Sequence, residues 1–467
     1  MIAQDVMLAG GAELVKADRE HLIHPLHHPL DNANTVIYVR GRDATVWDID
    51  GHEYIDGLSG LWNTNVGHGR AELAEAAAAQ MKELAYFSGY VGASNVPAIT
   101  LATRLIEIAD GSMQAVFFTT GGAESNESAF KTARFYWKAR GKTDKVKVIA
   151  RLQGYHGLTL QAMSATAMGA AYWKMFEPRV PGFVHIQTCY PYRYQGAKPG
   201  EPVGQAAARD LEEAILREGP DTVAAFIGEP IHGAGGVFYP TDDYWPRIRE
   251  ICTRYDVLLI ADEIITGFCR TGRWFGFSHW NARPDILSFA KGVTSGYLPL
   301  GGIMVNKAIK DAMDAVVPDD RWLHASTYSA HPTCCAVAVK NIEIMQRERL
   351  WENAAKMGDR LHRNLVVAFS DHPNVGDIRG GKGLMAAVEF VQDRPTKENF
   401  AVDKKIAPRL QAEMMKRGVV TRTRLTAGPH PLPGDMVFFA PPLVITEPEI
   451  DRLVGVARDA VKVVLGV

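Results

Sequence analysis

The chain predicts an α/β fold built on a mostly parallel sheet. Short apolar runs recur at residues 115–118, 146–150, 223–227, 257–261 and 286–289. Segments long enough for helices separate them, the clearest being 124–140, which Gly141 stops. The runs are continuous rather than alternating, as expected of strands covered by helices on both faces.

A meander precedes this alternation. Residues 36–40 and 44–49 are β-prone, and Asp50-Gly51 turns the chain into a third strand at 53–55. After about residue 335 the pattern changes to a long helix, a strand at 384–390, a helix at 407–417, a strand at 419–422 and a helix at 447–464. Residues 425–435, rich in Gly and Pro, read as a loop. The 467 residues are too many for one simple core. The expected division is a large domain at 70–334 and a smaller α/β domain from both termini, 1–69 and 335–467.

Composition excludes several classes of function. Net charge is -2, which gives no basic surface for nucleic acid or an anionic membrane. Five cysteines (189, 252, 269, 334 and 335) form no C-x-x-C pair, so no disulfide framework or zinc site is expected. Free thiols suit a reducing cytoplasm. Asp5, Glu13, Asp18 and Glu20 argue against a secretory signal. No apolar run reaches the ~18 residues that span a bilayer. A soluble, cytoplasmic protein is expected. His21, His24, His27 and His28 are interrupted by Pro25 and Pro29, which prevents the regular helix that would set metal-ligand geometry; no metal is expected.

Ligands of an open parallel sheet bind beyond the carboxyl ends of its strands. Five such ends carry chemistry here. One leads to Gly121-Gly122-Ala123 at a helix start, where backbone N–H groups and the helix dipole favour an anion. A second leads to Tyr155-His156, a third to Glu229, a fourth to Asp262, a fifth to Lys291. No Gly-Lys-Ser/Thr follows the first turn and no G-x-G-x-x-G is present, which argues against a P-loop or a nucleotide-binding dehydrogenase. A carboxylate buried at Asp262 needs a cation, such as a protonated ring nitrogen, or a structural partner. Lys291 can bond covalently to an aldehyde once its pKa falls; taken alone, a lysine here is more often a surface residue just past a strand. The 29-residue spacing between them matches one crossover unit.

The stretch 261–268, Arg270-Thr271-Gly272, Pro284-Asp285-Ile286 and Ala290-Lys291-Gly292 together resemble the signature of class III (ω-) aminotransferases. The resemblance extends through Trp47-Asp48, Gly60-Leu61-Trp62, Asn65-Val66-Gly67-His68, Glu124-Ser125-Asn126-Glu127, Tyr155-His156-Gly157, Gly228-Glu229-Pro230, Thr327–Pro332 and Pro441-Pro442-Leu443. It implies the pyridoxal 5'-phosphate (PLP) transferase fold type I, with a seven-stranded sheet. It also implies roles: Lys291 carrying PLP, Asp262 on the pyridine nitrogen, Tyr155 and Ile264 on the two ring faces, and Gly121, Gly122 and Ala123 at the phosphate. His156 belongs to the same cofactor set, and Glu229 sits near the ring. Thr327 reaches the phosphate in a partner subunit, which makes the protein a homodimer; pairing of dimers into tetramers stays open.

Arg422 and Arg424 are both candidates to bind a keto-acid carboxylate. Arg422 fits the position of the mobile arginine of amine–pyruvate aminotransferases better. Trp62 and Tyr90, with Tyr86 and Phe87, are expected to line an amine pocket. Ile265 replaces the glutamine frequent in ornithine- and γ-aminobutyrate-type relatives. The expected reaction moves an amino group from a primary amine or ω-amino acid to a keto acid, pyruvate being favoured, by a ping-pong mechanism. The alternative is a decarboxylase, aminomutase or racemase of the same fold. A turn at 233–236 carries no separate signal.

Overall fold

The computed structural model describes residues 11–30, 35–90, 92–426, 428 and 431–466. Asp5 and the part of the 425–435 loop at 427, 429 and 430 lie outside them. The meander is present as β1 (Tyr38–Arg42), β2 (Thr45–Asp48) and β3 (Glu53–Asp56), each antiparallel to the next.

The large sheet has seven strands: β4 (Ala115–Thr119), β5 (Lys147–Arg151), β6 (Phe183–Ile186), β7 (Val223–Gly228), β8 (Leu258–Asp262), β9 (Ile286–Phe289) and β10 (Gly301–Val305). Their order is β4-β10-β9-β8-β7-β5-β6. From β6 to β9 every pairing is parallel. β10 alone runs antiparallel, to β4 on one side and β9 on the other. All residues of β7, β8 and β9 are buried, which explains their unbroken apolar sequence. Gly302 lets β10 enter: a Cβ there would lie 2.5 Å from both the Phe117 carbonyl oxygen and the Phe289 ring.

The expected long helix after residue 335 is two helices, Pro332–Arg347 and Leu350–Phe369. The break falls at Arg349, which adopts φ 49°. Then follow β11 (Val375–Arg379), β12 (Ala386–Phe390), β13 (Val419–Val420), β14 (Arg422–Arg424) and β15 (Asp435–Phe439). The strand expected over 419–422 therefore divides. β13 pairs with β3 in the sheet β1-β2-β3-β13, while β14 joins the sheet β11-β12-β15-β14. The switch happens at Thr421, whose hydroxyl donates to the Phe438 carbonyl and whose own carbonyl accepts from Gln411 Nε2 at 3.0 Å. The chain's two ends thus share one sheet.

Arg270 ties three regions together. Its guanidinium, fully buried, donates to the carbonyls of Leu384 (3.0 Å) and Pro441 (2.7 Å), to Ser59 Oγ (2.8 Å) and to Asn65 Oδ1 (2.7 Å). Among the described residues, no helix is long and apolar enough to cross a membrane.

Candidate active site

The register of the sheet sets the site. Asp262, the last residue of β8, pairs with Ser288 of β9, so Lys291 lies just past the end of the neighbouring strand. Glu229 follows β7, Tyr155 and His156 follow β5, and the helix Gly122–Ala139 follows β4. These ends converge on a cavity of about 430 Å³, bordered by Gly122, Ala123, Tyr155, His156, Glu229, Asp262, Ile264 and Lys291. A volume of that size suits a small aromatic cofactor. An adjoining cavity of about 340 Å³ shares Gly122 and Lys291 and adds Gly121.

Asp262 is 2% exposed. Its Oδ2 accepts from Asn126 Nδ2 and from His156 Nδ1, each at 2.8 Å, and its Oδ1 accepts from the Ile264 backbone N–H at 3.2 Å. An ionised carboxylate only accepts, so the His156 proton belongs on Nδ1. Nε2 of His156 is buried without a partner. Neither donor side chain neutralises the acid unless His156 is charged. Asn126, quoted in the sequence pattern without a role, also donates to the His156 carbonyl at 2.8 Å and so fixes both partners.

Lys291 adopts φ 43° at the strand exit. Burial lowers its pKa, and the charge of Arg422 adds to that effect, while Asp262 and Glu229 oppose it. Glu229 is held by the Gly233 N–H at 2.7 Å and the Tyr155 N–H at 3.2 Å. Burial raises its pKa.

These residues pass a test of fit for PLP. The helix at Gly122 has no side-chain cap, so its first N–H groups are open to a phosphate. Ile264 closes one side of the cavity against Gly122; a Cβ at Gly122 would lie 2.8 Å from Ile264 Cδ1. Asp262 supplies a buried carboxylate, which a pyridinium would balance, and Lys291 supplies a half-buried amine.

Other predicted residues stand elsewhere. Trp62 is buried with its ring 6.1 Å from that of Phe438, outside both cavities. Tyr90 is 51% exposed, and Tyr86 and Phe87 are also exposed. Thr327 is exposed too, its carbonyl accepting from the Tyr86 hydroxyl at 2.7 Å. The single chain does not bring these together with Lys291. Arg422 is half-buried, close enough for its charge to act on both Lys291 and Tyr155.

Glu263, next to Asp262, supports the loop behind it. It accepts from Thr266 Oγ1 (2.5 Å) and from the N–H groups of Gly276 (2.8 Å) and Phe277 (2.9 Å). Burial nonetheless pushes its pKa from 4.5 up to about 7. A carboxyl raised by folding stabilises fully below its unfolded value, and that contribution is lost as pH rises through the folded one. The expected result is that the Glu263 contribution weakens by about 3 kcal/mol between pH 4.5 and pH 7. Glu263→Gln should flatten this part of the stability curve, measured as Tm or urea midpoint against pH.

A half-buried lysine and a buried acid at neighbouring ends of this sheet, beside an uncapped helix start, define a PLP-dependent enzyme of fold type I. The chain belongs to the class III aminotransferases: the family model "Aminotransferase class-III" matches residues 28–461. It is similar to the putrescine–pyruvate aminotransferase of Pseudomonas aeruginosa, with 38% identity over 442 residues covering 94% of each chain. It is equally similar to the diaminobutyrate–2-oxoglutarate transaminase of Halomonas elongata, 38% over 457 residues and 96% of each chain. Among solved structures, a thermostable (S)-enantioselective ω-transaminase from Thermomicrobium roseum superposes with a TM-score of 0.91 at 44% identity, covering 97% of this chain and 99% of that one. The protein is a transferase, and its cofactor is PLP.

Proposed function

We propose that the protein transfers the amino group of a primary amine or ω-amino acid to pyruvate by a ping-pong mechanism. The observation that carries this reading is Arg422. Its guanidinium is near enough for its charge to act on Lys291 and makes no side-chain hydrogen bond or ion pair among the described residues, although it borders neither cavity. An unengaged guanidinium beside the reacting amine can hold an acceptor carboxylate in its planar fork. It can also move aside for a donor without one.

When bound, PLP supplies a ring that takes up the electron pair left when the donor carbon loses its proton. Lys291 would hold the cofactor, and its Nζ, once free, would take that proton and give it back to complete the transfer. Asp262 keeps the ring nitrogen charged, held in place by Asn126 and His156. Tyr155 and Ile264 confine the ring from its two faces. Gly121, Gly122 and Ala123 offer N–H groups to the phosphate. Ile265, at the cavity wall, stands where ornithine- and γ-aminobutyrate-type relatives often carry glutamine, which weighs against those two donors.

In this reading two copies pair as a cytoplasmic homodimer. Tyr86, Phe87, Tyr90 and Tyr328, exposed in the single chain, are covered by the partner, and Thr327 turns toward the partner's phosphate. Trp62 and Tyr90 then border the amine side. Residues 70–334 form the cofactor-binding domain, and 1–69 with 335–467 the smaller one.

A panel of amine donors run against pyruvate and 2-oxoglutarate tests the assignment. Pyruvate is expected to regenerate the cofactor's starting absorbance fastest. If neither acceptor does so, the reading fails. Arg422→Leu is expected to raise the KM for pyruvate by ~10- to 100-fold and to leave that of an uncharged alkyl- or arylamine donor within about twofold. Steady-state kinetics with each substrate varied in turn checks this.

A further inference from the structure

Arg424 shares the strand and the face of Arg422 yet is engaged in a different way. Its guanidinium donates to the Gly235 carbonyl, to Gln153 Oε1 and, at 3.2 Å, to the Met168 carbonyl. Two of these three anchor points lead into the cavity. Gln153 stands two residues before Tyr155. Gly235 stands two residues after Gly233, whose N–H holds Glu229. The turn at 233–236 is grasped a second time by Arg379, which donates from Nε to the Gly236 carbonyl at 2.9 Å and is itself paired with Glu389 at 3.1 Å.

The turn can be held so closely because its glycines leave no room for more. A Cβ on Gly235 would lie 2.0 Å from the Gln153 carbonyl oxygen, and one on Gly233 would lie 2.3 Å from Ile265 Cδ1. Arg424 therefore locks β14 to the two loops that carry Tyr155 and Glu229. Among the described residues no other β14 side chain hydrogen-bonds to those loops: Thr423 bonds to Gln411 within the C-terminal region, at 2.8 Å.

We infer that Arg424 is a positioning residue for the keto-acid acceptor. By clamping β14 onto the 153–168 segment and the 233–236 turn, it fixes the backbone from which Arg422 reaches a carboxylate. This rests on Arg422 binding the acceptor, as proposed above. It does not require Arg424 to touch substrate.

The test is Arg424→Lys in the PLP-loaded enzyme. Lysine keeps the charge but lacks the fork that spans three acceptors. The KM for pyruvate is expected to rise about tenfold, since small misplacements of an orienting group cost rates of this order. The KM for an amine donor without a carboxylate should stay within about twofold. In an Arg422→Leu background, Arg424→Lys should add no further rise, because the two residues act as one unit. A purely structural role would instead move both KM values and kcat together, and that outcome overturns the inference. So does an unchanged pyruvate KM in a yellow, folded Arg424→Lys enzyme. If that variant does not hold cofactor, Gln153→Ala decides. Removing one acceptor should raise the pyruvate KM about threefold, and no change overturns the inference. If Arg422→Leu alone leaves the pyruvate KM unmoved, the Arg422 reading fails and this one falls with it. If Arg422→Leu raises it and neither Arg424→Lys nor Gln153→Ala does, only the positioning role fails.

Discussion

Lys291→Ala is expected to lower kcat for amine transfer by at least ~10⁴-fold, because it removes both the covalent anchor and the proton-transfer group. In the proposed mechanism this lysine does both, and its surroundings suit the role. It stands at the exit of β9, buried enough to hold its pKa below the ordinary lysine value, so more of it is a neutral amine at neutral pH. Neither Asp262 nor Glu229 pairs with it directly; both act only through their charge. Stability should move the other way. A lysine whose pKa is lowered by folding makes the unfolded chain bind its proton more readily between the folded value and the ordinary 10.5. The amine therefore opposes folding below 10.5, fully at pH values under its folded pKa and progressively less as pH rises from there to 10.5. The cofactor-free alanine variant should therefore melt no lower than the cofactor-free parent at pH 7. Activity lost with stability kept separates chemistry from misfolding. A small exogenous amine such as methylamine should restore part of the rate by supplying a base. Wild-type turnover in Lys291→Ala would end the mechanism.

What the sequence revealed and what it hid follow from how local each signal is. Asp262 and Lys291 each end a continuous apolar run, and the crossover length places those runs side by side; this much is written along the chain. Asn126 is different. Its partner Asp262 is 136 positions away, and only its place on the buried stripe with Ala129, Phe130 and Ala133 could have marked it. A polar residue within such a stripe needs a partner, and that is the signal to look for. β10 was hidden because Gly301-Gly302 reads as a turn; only the crowding by Phe117 and Phe289 shows why a strand needs glycine there. The Gly233–Gly236 turn, without a motif of its own, is the contact point for two arginines from the C-terminal region. Thr421 looks like the interior of a strand and is instead where the chain changes sheet. That change places Arg422 and Arg424 on β14, apart from the sheet that holds β13.

Asp262→Asn is the second large effect, an expected loss of ~10³-fold in kcat, about 4 kcal/mol of transition-state stabilisation. The argument is electrostatic rather than steric. Asparagine has nearly the shape of aspartate, so its oxygen can still accept from Asn126 and His156. Its amide nitrogen then faces the Ile264 N–H and the ring. The site would keep its form and lose its charge. Without that anion the site would no longer favour a protonated ring nitrogen, and the electron-withdrawing chemistry the bound cofactor would supply would weaken. The KM for the amine should change less than kcat, since the lost charge acts on the transition state rather than on donor binding. Because His156 Nδ1 and Asn126 Nδ2 both point at the carboxylate, His156→Phe should give a weaker version of the same defect. It would leave the acid in place but free to turn. The measurement is single-turnover reaction of the loaded enzyme with an amine, followed by absorbance, with Tm as control. An asparagine variant within tenfold of the parent, folded and loaded, would show that the charge at Asp262 is not what drives proton loss from the donor.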